Sequence, residues 1–268
     1  MNAKVSIIMG IYNCADTLPE AMDSLLAQTF TDWELIMCDD GSDDHTLQVA
    51  KSYQTQYPDR IILLSNAKNQ GLNRTLNHCL AHASGTYIAR MDGDDISLPE
   101  RLEKEVSFLD AHPEFAIVSC PMIYFDENGD WGKGTSIPDP TEADFVKGTP
   151  FCHAPCMVRA EAYRAVGGYS ENRRTLRAED YYLWFCMYAA GYRGANLPEP
   201  LYKMRDDENA YHRRKFRYAL NEAYVRFNGY RMLKLPLRSY LYAVRPIVVN
   251  LLPKALYRHL HHRRQTGR

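Results

Sequence analysis

A short acidic run in the sequence has its carboxylates spaced for work on a metal ion. Asp92, Asp94 and Asp95 fall within four residues, directly after the apolar segment Tyr87 to Met91. Carboxylates this close repel one another unless a cation joins them. Oxygen ligands suit Mg²⁺ or Mn²⁺, which usually bridge one or two carboxylates to a substrate phosphate. The alternative interpretation is a solvated acidic turn or a helix N-cap.

A second pair of carboxylates, Asp39 and Asp40, follows the apolar segment Glu34 to Cys38. A carboxylate at this place can accept hydrogen bonds from a base or a ribose that is held over the edge of a sheet. An ordinary Asp-Gly turn through Gly41 is the alternative. The pattern alone leaves both interpretations open.

A third acidic pair, Glu179 and Asp180, begins a helical segment that is rich in aromatic residues. One carboxylate beside an acceptor hydroxyl could serve as a general base. Acidic residues are also favoured at a helix N-terminus by the helix dipole, which needs no catalytic role. Trp184, in the same segment, is a candidate for stacking on a sugar, although aromatic residues at helical spacing more often belong to a core.

Short apolar runs alternate with amphipathic helical patterns over the first 125 residues. The predicted strands are Val5 to Met9, Glu34 to Cys38, Ile61 to Leu64, Tyr87 to Met91 and Ala116 to Phe125. This alternation predicts an α/β fold with a mostly parallel central sheet flanked by helices. Ligands of such sheets bind outside the carboxyl ends of the strands, so the acidic clusters after the second and fourth strands should converge at one edge.

The second half of the sequence is less regular. Residues 128–150 are rich in glycine, proline and polar residues and predict a loop or a small excursion. A strong helix is predicted from Glu179 to Ala190, and the chain from Tyr202 onward is predicted to be helical, aromatic and basic. Residues 1–202 therefore form the predicted catalytic domain, with halves 1–125 and 126–202, and residues 203–268 form a C-terminal extension.

The composition is that of a globular protein. Of the 268 residues, 46% are hydrophobic and 24% are charged, which excludes a disordered chain. The first residues lack the pattern of a signal peptide. No apolar run approaches the roughly 18–20 residues of a membrane span, because the longest candidate, Tyr240 to Leu252, is interrupted by Arg245 and Pro246. We therefore expect a cytoplasmic protein.

The seven cysteines are odd in number and scattered, which predicts reduced thiols rather than a disulfide framework. The tightest group is Cys152-His153-x-x-Cys156. A zinc site would need a second pair of ligands nearby, and none follows. Core or site-lining residues are therefore the preferred interpretation of this group.

The charge is distributed unevenly along the chain. From Lys203 onward there are 16 Lys and Arg against four Asp and Glu, whereas the preceding 202 residues have 16 against 29. The basic segment also carries apolar residues at helical spacing, which predicts peripheral contact with an anionic membrane. A helix packed on the catalytic domain with a solvated basic face is the alternative. Nucleic acid is not predicted as a partner, because the body is acidic and contains no nucleic-acid motif.

Several of these segments, in this order and spacing over roughly residues 3–200, resemble glycosyltransferase family 2. The segments are Val5-Ser-Ile-Ile-Met-Gly-Ile-Tyr-Asn13, Ser24 to Phe30, Trp33 to Ser42, Asn69 to Asn77 and Ser84 to Asp95. The resemblance implies the GT-A (Rossmann-like) fold and an inverting, metal-dependent transfer of a sugar from a nucleotide-diphosphate sugar. The cofactor implied is Mn²⁺ or Mg²⁺.

The resemblance also implies residues for the donor site. Ile11 and Tyr12 would line the nucleotide pocket, and Asp40 would hydrogen-bond the base. Arg74 lies where a basic or polar residue often approaches the nucleotide, with a solvated helix face as the alternative. Asp92 would sit near the ribose and the donor sugar.

The remaining implied roles concern the metal, the base and the acceptor. Asp94 would ligate the metal, with Asp95 as an alternative ligand that the sequence does not rank. Asp180 would be the catalytic base, in a Glu-Asp pair with Glu179. His153 would lie on the acceptor or phosphate side, with a buried structural histidine as the alternative.

The chain departs from the processive members of the family. It lacks their Gln-x-x-Arg-Trp motif, since none of the three tryptophans follows an arginine. The resemblance therefore implies transfer of one sugar, most simply from a UDP-linked donor, to a glycan or polyprenyl-diphosphate-linked glycan. The implied product is a surface polysaccharide such as lipopolysaccharide O-antigen, made at the inner face of the cell membrane. The alternatives are a sugar-phosphate nucleotidyltransferase and a non-catalytic, membrane-docked glycan- or nucleotide-binding module.

Overall fold

A computed structural model describes residues 3–205 and 215–251 of the chain. Its main element is a seven-stranded sheet of order β10-β6-β9-β4-β1-β2-β3, and a four-stranded sheet of order β5-β11-β7-β8 lies beside it. The strands are β1 Val5–Ile11, β2 Trp33–Asp39, β3 Ile61–Ser65, β4 Tyr87–Asp92, β5 Ile96–Ser97, β6 Ile117–Ser119, β7 Met122–Asp126, β8 Gly129–Lys133, β9 Met157–Arg159, β10 Gly194–Asn196 and β11 Tyr202–Arg205.

Eight α-helices are described in these residues, together with three 3₁₀ segments. The helices are α1 Leu18–Leu26, α2 Thr46–Gln56, α3 Leu72–Leu80, α4 Arg101–Ala111, α5 Ala160–Val166, α6 Glu179–Ala189, α7 Phe216–Met232 and α8 Arg245–Leu251. The 3₁₀ segments are Glu142–Val146, Arg173–Thr175 and Leu237–Val244.

The central strand β1 is buried on both faces, which explains its nearly continuous apolar sequence. Val5, Ile7 and Met9 pack with α1, α2 and α4 on one face, and Ile8 packs with α3, α5 and α6 on the other. In α1, four residues at helical spacing turn inward, and Pro19 occupies its first turn without loss of a helical hydrogen bond. The predicted α/β architecture is confirmed.

The parallel pairing of β1 with β2 and β4 brings the two acidic clusters together. Ile11 is paired in register with Asp39 of β2, and Gly10 with Asp92 of β4. Both clusters therefore follow strands that end at the same edge of the sheet, as the sequence predicts.

The strand predicted over residues 116–125 is wrong as a single element. It divides into β6 in the large sheet and β7 in the small sheet, with Pro121 between them. A proline cannot donate to a strand ladder, so the chain changes sheets there. Residues 128–150, predicted as a loop or a small excursion, contain the strand β8 and a 3₁₀ segment.

The small sheet contains two elements that sequence periodicity did not resolve. The two-residue strand β5 follows the acidic run, and β11 pairs with it antiparallel through Tyr202 and Ser97. The helical prediction from Tyr202 is thus wrong for Tyr202–Arg205. The strand β11 also crosses the proposed boundary after residue 202, and the division into domains stays a prediction.

The C-terminal extension packs on the catalytic part of the chain as far as it is described. Helix α7 contacts α6 at Gly229, where an added Cβ would lie 2.3 Å from Cδ2 of Phe185. Asn221 of α7 donates to the carbonyl oxygens of Arg173 and Leu176. Within the described ranges, no helix is both long and apolar enough to cross a membrane. Residues 206–214 and 252–268, which include basic side chains that entered the membrane prediction, lie outside the described residues.

Candidate active site

The acidic turn that follows β4 lies against the loop between β1 and α1. A Cβ added to Gly93 would lie 3.0 Å from Ile11 Cγ2 and from Cys14 Sγ, so a larger residue would require these two side chains to shift. The hydroxyl of Thr17 donates to the Gly93 carbonyl at 3.1 Å. The turn 92–95 is therefore fixed to the edge of the sheet where β1 ends.

Asp92 has a cation as its partner. Arg90, two residues earlier on β4, donates from Nη2 to Oδ1 of Asp92 at 2.5 Å. Arg90 is almost fully buried, and its Nε has no hydrogen-bond partner among the described residues. Sequence reasoning missed Arg90, and the signal that could have found it is a charged residue inside an otherwise apolar strand.

Asp95 is held from two sides by the small sheet. Its Oδ1 accepts the backbone N–H of Arg205 at 2.8 Å, and its carboxylate also bonds the Tyr202 hydroxyl. Burial, and then repulsion from Asp92 and Asp94, raises the pKa of Asp95 well above its usual value. Its bonds give Asp95 a structural function within the turn.

The acidic turn fits a divalent cation. The donors are carboxylate oxygens, the kind that Mg²⁺ and Mn²⁺ prefer, and the repulsion among Asp92, Asp94 and Asp95 is what a cation would relieve. Among the described residues, no three His, Cys, Asp or Glu side chains form a complete ligand cage. This agrees with an ion that takes one or two protein carboxylates and completes its shell with substrate phosphates.

The two carboxylates of the second acidic pair, Asp39 and Asp40, lie in different environments. Both oxygens of Asp40 are used: Oδ1 accepts from Asn66 Nδ2 and from the Gln70 backbone, and Oδ2 accepts from the Gly71 backbone, each at 2.9 Å. Asp39 accepts only a 3.3 Å bond from the Ser42 backbone on Oδ2, and its buried Oδ1 has no partner in the described structure. Asp40 thus organises the 66–71 loop, while Asp39 keeps an unused acceptor.

The other residues predicted at the nucleotide side occupy different positions. Ile11 is buried at the end of β1, and the Tyr12 ring beside it is 45% exposed, so it can receive a ligand. Arg74 lies at the surface, where its Nε donates to Glu171 at 3.0 Å. The nucleotide role of Arg74 stays a prediction, with this ion pair as its competitor.

The acidic turn and Asp180 line one cavity of about 850 Å³. Asp92, Asp94 and Asp95 come from the end of β4, whereas Asp180 comes from the first turn of α6. Burial, followed by the neighbouring charge of Glu179, raises the pKa of Asp180 to about 6. A carboxylate with this pKa is ionised at neutral pH and still basic enough to take a proton, as general base catalysis requires.

The remaining walls of the cavity are basic and come from elements that sequence reasoning did not connect with the site. The side chains are Lys147, Arg177, Arg205, Lys215, Arg226 and Arg245. Arg205 ends β11 in the small sheet, Lys215 and Arg226 belong to the α7 region, and Arg245 begins α8. The excess of basic residues after Lys203 is the sequence signal for these four, whereas Lys147 and Arg177 precede that segment.

Three residues predicted near the acceptor lie around Asp180 rather than in the cavity wall. His153 bonds the Tyr169 hydroxyl at 2.8 Å, and burial, then the Arg90 charge, lowers its pKa well below the usual value, which keeps the imidazole neutral. Glu179 is partly buried, with one oxygen unpaired in the described structure. Trp184 has no exposed surface, so the hypothesis that it stacks on an acceptor is wrong: it is a core residue.

The sequence of this chain is similar to those of known glycosyltransferases. The sequence profile described as glycosyl transferase family 2 matches residues 6–167, and that of glycosyl transferase family group 2 matches residues 87–261. EpsE of Bacillus subtilis (strain 168), whose name gives the glycosyltransferase class and no substrate, is 48% identical over 97% of this chain and 94% of its own.

Two further comparisons concern substrate and fold. The Escherichia coli enzyme WfgD, named UDP-Glc:alpha-D-GlcNAc-diphosphoundecaprenol beta-1,3-glucosyltransferase, is 32% identical over 67% of this chain and 68% of its own. The solved mannosyltransferase PcManGT of Pyrobaculum calidifontis, in complex with GDP-Man and Mn²⁺, is 20% identical with a TM-score of 0.69, over 97% of this chain and 79% of that one. The structural likeness shows that the fold is GT-A.

Proposed function

The chain belongs to glycosyl transferase family 2, and from that premise we propose that it moves one sugar from a UDP-linked donor to a hydroxyl of a lipid-linked glycan, with inversion at the anomeric carbon. The observation that carries this proposal is the cavity in which Asp180 faces the acidic turn. Relatives named as glycosyltransferases disfavour the nucleotidyltransferase and the non-catalytic binding module.

The donor is proposed to lie at the edge where β1, β2 and β4 end. The exposed Tyr12 ring offers an apolar surface for the base, and the unpartnered Oδ1 of Asp39 offers an acceptor for an N–H or O–H of the nucleoside. A uracil ring has such an N–H, and WfgD is named for a UDP-linked donor. Asp40, whose oxygens are occupied, would act by holding the loop beside it.

Asp94 is the residue that we propose to hold a divalent cation, with Asp92 beside it. Asp94 lines the cavity between Asp92 and Asp95, and Asp95 bonds the Arg205 backbone and the Tyr202 hydroxyl. When bound, a divalent cation neutralises negative charge that develops on the leaving diphosphate. The Mn²⁺ in the PcManGT complex supports this proposal.

Asp180 is proposed to take the proton of the acceptor hydroxyl. As the hydroxyl oxygen forms its bond to the anomeric carbon, the bond from that carbon to the donor diphosphate breaks on the opposite face. The proton passes to a carboxylate oxygen of Asp180, and the nucleoside diphosphate leaves with the bonding electron pair. Positioned base catalysis of this kind is worth about 10²–10⁴-fold.

The acceptor side is proposed to face an anionic membrane. The exposed apolar residues of the 3₁₀ segment Leu237–Val244 and of α8, named here the apolar stripe, are Leu237, Leu241, Val244, Val248 and Leu251, with Leu237 87% exposed and Leu241 76% exposed. Apolar side chains so exposed on a segment with basic neighbours are typical of a helix that lies in a membrane interface. Peripheral attachment at the inner face would bring the cavity to a polyprenyl-diphosphate-linked glycan, the acceptor class named for WfgD.

Thermal unfolding with a panel of nucleotides and nucleotide sugars, with and without Mn²⁺, tests the donor site. A ligand that binds the folded state raises the melting temperature by mass action. We expect UDP and one UDP-sugar to stabilise the protein, more strongly with Mn²⁺. The stabilising sugar nucleotide is then tested for release of UDP in the presence of membrane lipid extract. The absence of a shift with every nucleoside diphosphate would contradict the proposed function.

A further inference from the structure

Six basic side chains line the cavity that the acidic turn and Asp180 share. Four of its basic side chains, Lys147, Arg177, Lys215 and Arg245, form no ion pair with a carboxylate in residues 3–205 and 215–251. The other two are neutralised, since Arg205 pairs with Glu20 and Arg226 pairs with Glu222. Unpaired cations that line a cleft predict an anionic ligand.

These four cations come from separate parts of the chain and are held close to one another. Arg245 donates from Nη1 to the carbonyl oxygen of Lys147 at 3.1 Å, which fixes α8 to the 147–149 loop. Arg177 and Lys215 both lie near the Tyr218 hydroxyl: the pKa of Tyr218 is lowered mainly by its Arg217 hydrogen bond and also by these two charges. The tertiary structure thus assembles a cationic wall, defined here as Lys147, Arg177, Lys215 and Arg245.

The cationic wall lies on the side of the base. Arg177 precedes Asp180 by three residues, and both line the cavity. In an inverting transfer the base stands on the face opposite the leaving nucleotide, so groups beside Asp180 are positioned for the acceptor. The donor diphosphate, by contrast, is placed at the acidic turn after β4.

Helix α8 connects this wall to an apolar surface. Arg245, Pro246, Val249 and Asn250 line the cavity, while Val248 and Leu251 are exposed on another face of the same short helix. A ligand with a charged head at the cavity and a hydrocarbon chain along the apolar stripe would match both surfaces. A lipid diphosphate is such a ligand.

We propose that Lys147, Arg177, Lys215 and Arg245 bind the diphosphate of a lipid-linked acceptor and so place its sugar hydroxyl beside Asp180. This inference rests on the proposed function, because it requires a lipid-linked acceptor. It makes the C-terminal extension a part of the active site as well as a membrane contact. Free diphosphate-containing donors share the same chemistry, so the test must separate the two sources.

The test uses geranyl diphosphate as a short, water-soluble probe, with the donor site first saturated by UDP and Mn²⁺. Binding is measured by calorimetry for wild type, for Lys215→Gln/Arg245→Gln, and for the matched control Arg231→Gln/Arg238→Gln. The control removes the same charge from exposed positions in the C-terminal extension that do not line the cavity. Geranyl monophosphate and geraniol are compared with the diphosphate.

We expect geranyl diphosphate to bind the UDP-saturated wild type and control double variant equally, and to bind the Lys215→Gln/Arg245→Gln variant at least tenfold more weakly. Monophosphate should bind more weakly than diphosphate, and geraniol should not bind measurably. Equal binding by both double variants would overturn the proposal. Displacement of bound geranyl diphosphate by UDP would also overturn the proposal, because the four cations would then bind the diphosphate of the donor.

The stabilisation of each variant by UDP distinguishes the two proposals. If UDP stabilises all variants and geranyl diphosphate fails to bind, only the acceptor site is refuted. If wild type does not respond to UDP, the proposed function fails first. The melting temperature of each ligand-free variant shows whether the substitutions disturb folding.

Discussion

Arg90 and Asp92 form an ion pair of 2.5 Å at the end of β4, directly beneath the candidate active site. The pair is local, since residues two apart on a strand point to the same face. Its consequence is that one of the three carboxylates of the acidic turn has a permanent cationic partner, and Asp95 is held by the small sheet. Asp94 lines the cavity beside them, and we expect its loss to weaken the binding of a cation.

Asp94→Asn is expected to abolish the part of UDP stabilisation that depends on Mn²⁺. Asp95→Asn should instead lower the ligand-free melting temperature, because it weakens the bonds to the Arg205 backbone and the Tyr202 hydroxyl. Thermal unfolding of both variants, with UDP and a Mn²⁺ titration, measures the difference. A full Mn²⁺ response in Asp94→Asn would refute the assignment.

Asp180→Asn is expected to reduce kcat by about 10²–10⁴-fold, the usual contribution of a positioned base. Asparagine keeps the size of the side chain but cannot accept the proton. Stabilisation by UDP should be unchanged, because the base does not contact the nucleotide. Near wild-type turnover would place the base elsewhere, and joint loss of turnover and UDP binding would indicate a structural role.

The pH dependence of kcat/KM should show an acidic limb near pH 6. The pKa of Asp180 is raised to about 6 by burial and then by Glu179, and only the ionised carboxylate can accept a proton. The rate should therefore fall about tenfold per unit of pH below that value. Glu179→Gln removes a negative charge that raises this pKa, so its limb should move to lower pH. An unchanged limb in Glu179→Gln would show that another group controls it.

Substitutions of Asp39 and Asp40 should have different effects, one on nucleotide binding and the other on stability. Asp40→Asn disturbs three hydrogen bonds to the 66–71 loop and should lower the free energy of unfolding by about 1–3 kcal/mol. Asp39→Asn disturbs one long bond and should leave stability nearly unchanged while it weakens UDP binding. Urea unfolding and UDP titration measure the two effects. The reverse pattern would restore Asp40 as the nucleoside ligand.

Gly229→Ala should destabilise the protein by about 1–3 kcal/mol, the usual cost of overpacking. The new Cβ would lie 2.3 Å from the Phe185 ring, so α7 must move away from α6. The same movement should weaken binding of geranyl diphosphate, because α7 carries part of the cavity wall. Leu220→Ala, which changes an exposed side chain of the same helix, is the control. A Gly229→Ala protein as stable as wild type would contradict the described packing.

The sequence by itself determined the class of fold and most of the acidic site. Buried strands such as Val5–Ile11 can be recognised in the sequence, because a strand covered on both faces must be apolar throughout. The carboxylates that follow β2 and β4 then had to meet, since parallel neighbours end at one edge. The family could be identified because the order and spacing of several segments are preserved along the chain.

Only the tertiary structure decided which hydrogen-bond partners each carboxylate has. Asp39 and Asp40 are adjacent and chemically identical, and their difference arises from the Asn66, Gln70 and Gly71 groups that pack on one of them. Trp184 likewise became a core residue because of its neighbours. Local sequence patterns indicate the periodicity of a helix or strand. The hydrogen-bond partners of a side chain, by contrast, come from segments that are distant in the sequence.

The role of the C-terminal extension also required the tertiary structure. Its composition predicted a basic, amphipathic segment, which membrane contact and packing on the domain explain equally well. In the structure α7 packs on α6, as the packing alternative predicts, while Leu241 and Leu251 are exposed and membrane contact stays a prediction. That Arg245 reaches the carbonyl of Lys147, 98 residues away, follows from no local pattern. Such long-range contacts are fixed only when the whole chain buries its apolar surface, and they bring the cationic wall beside Asp180.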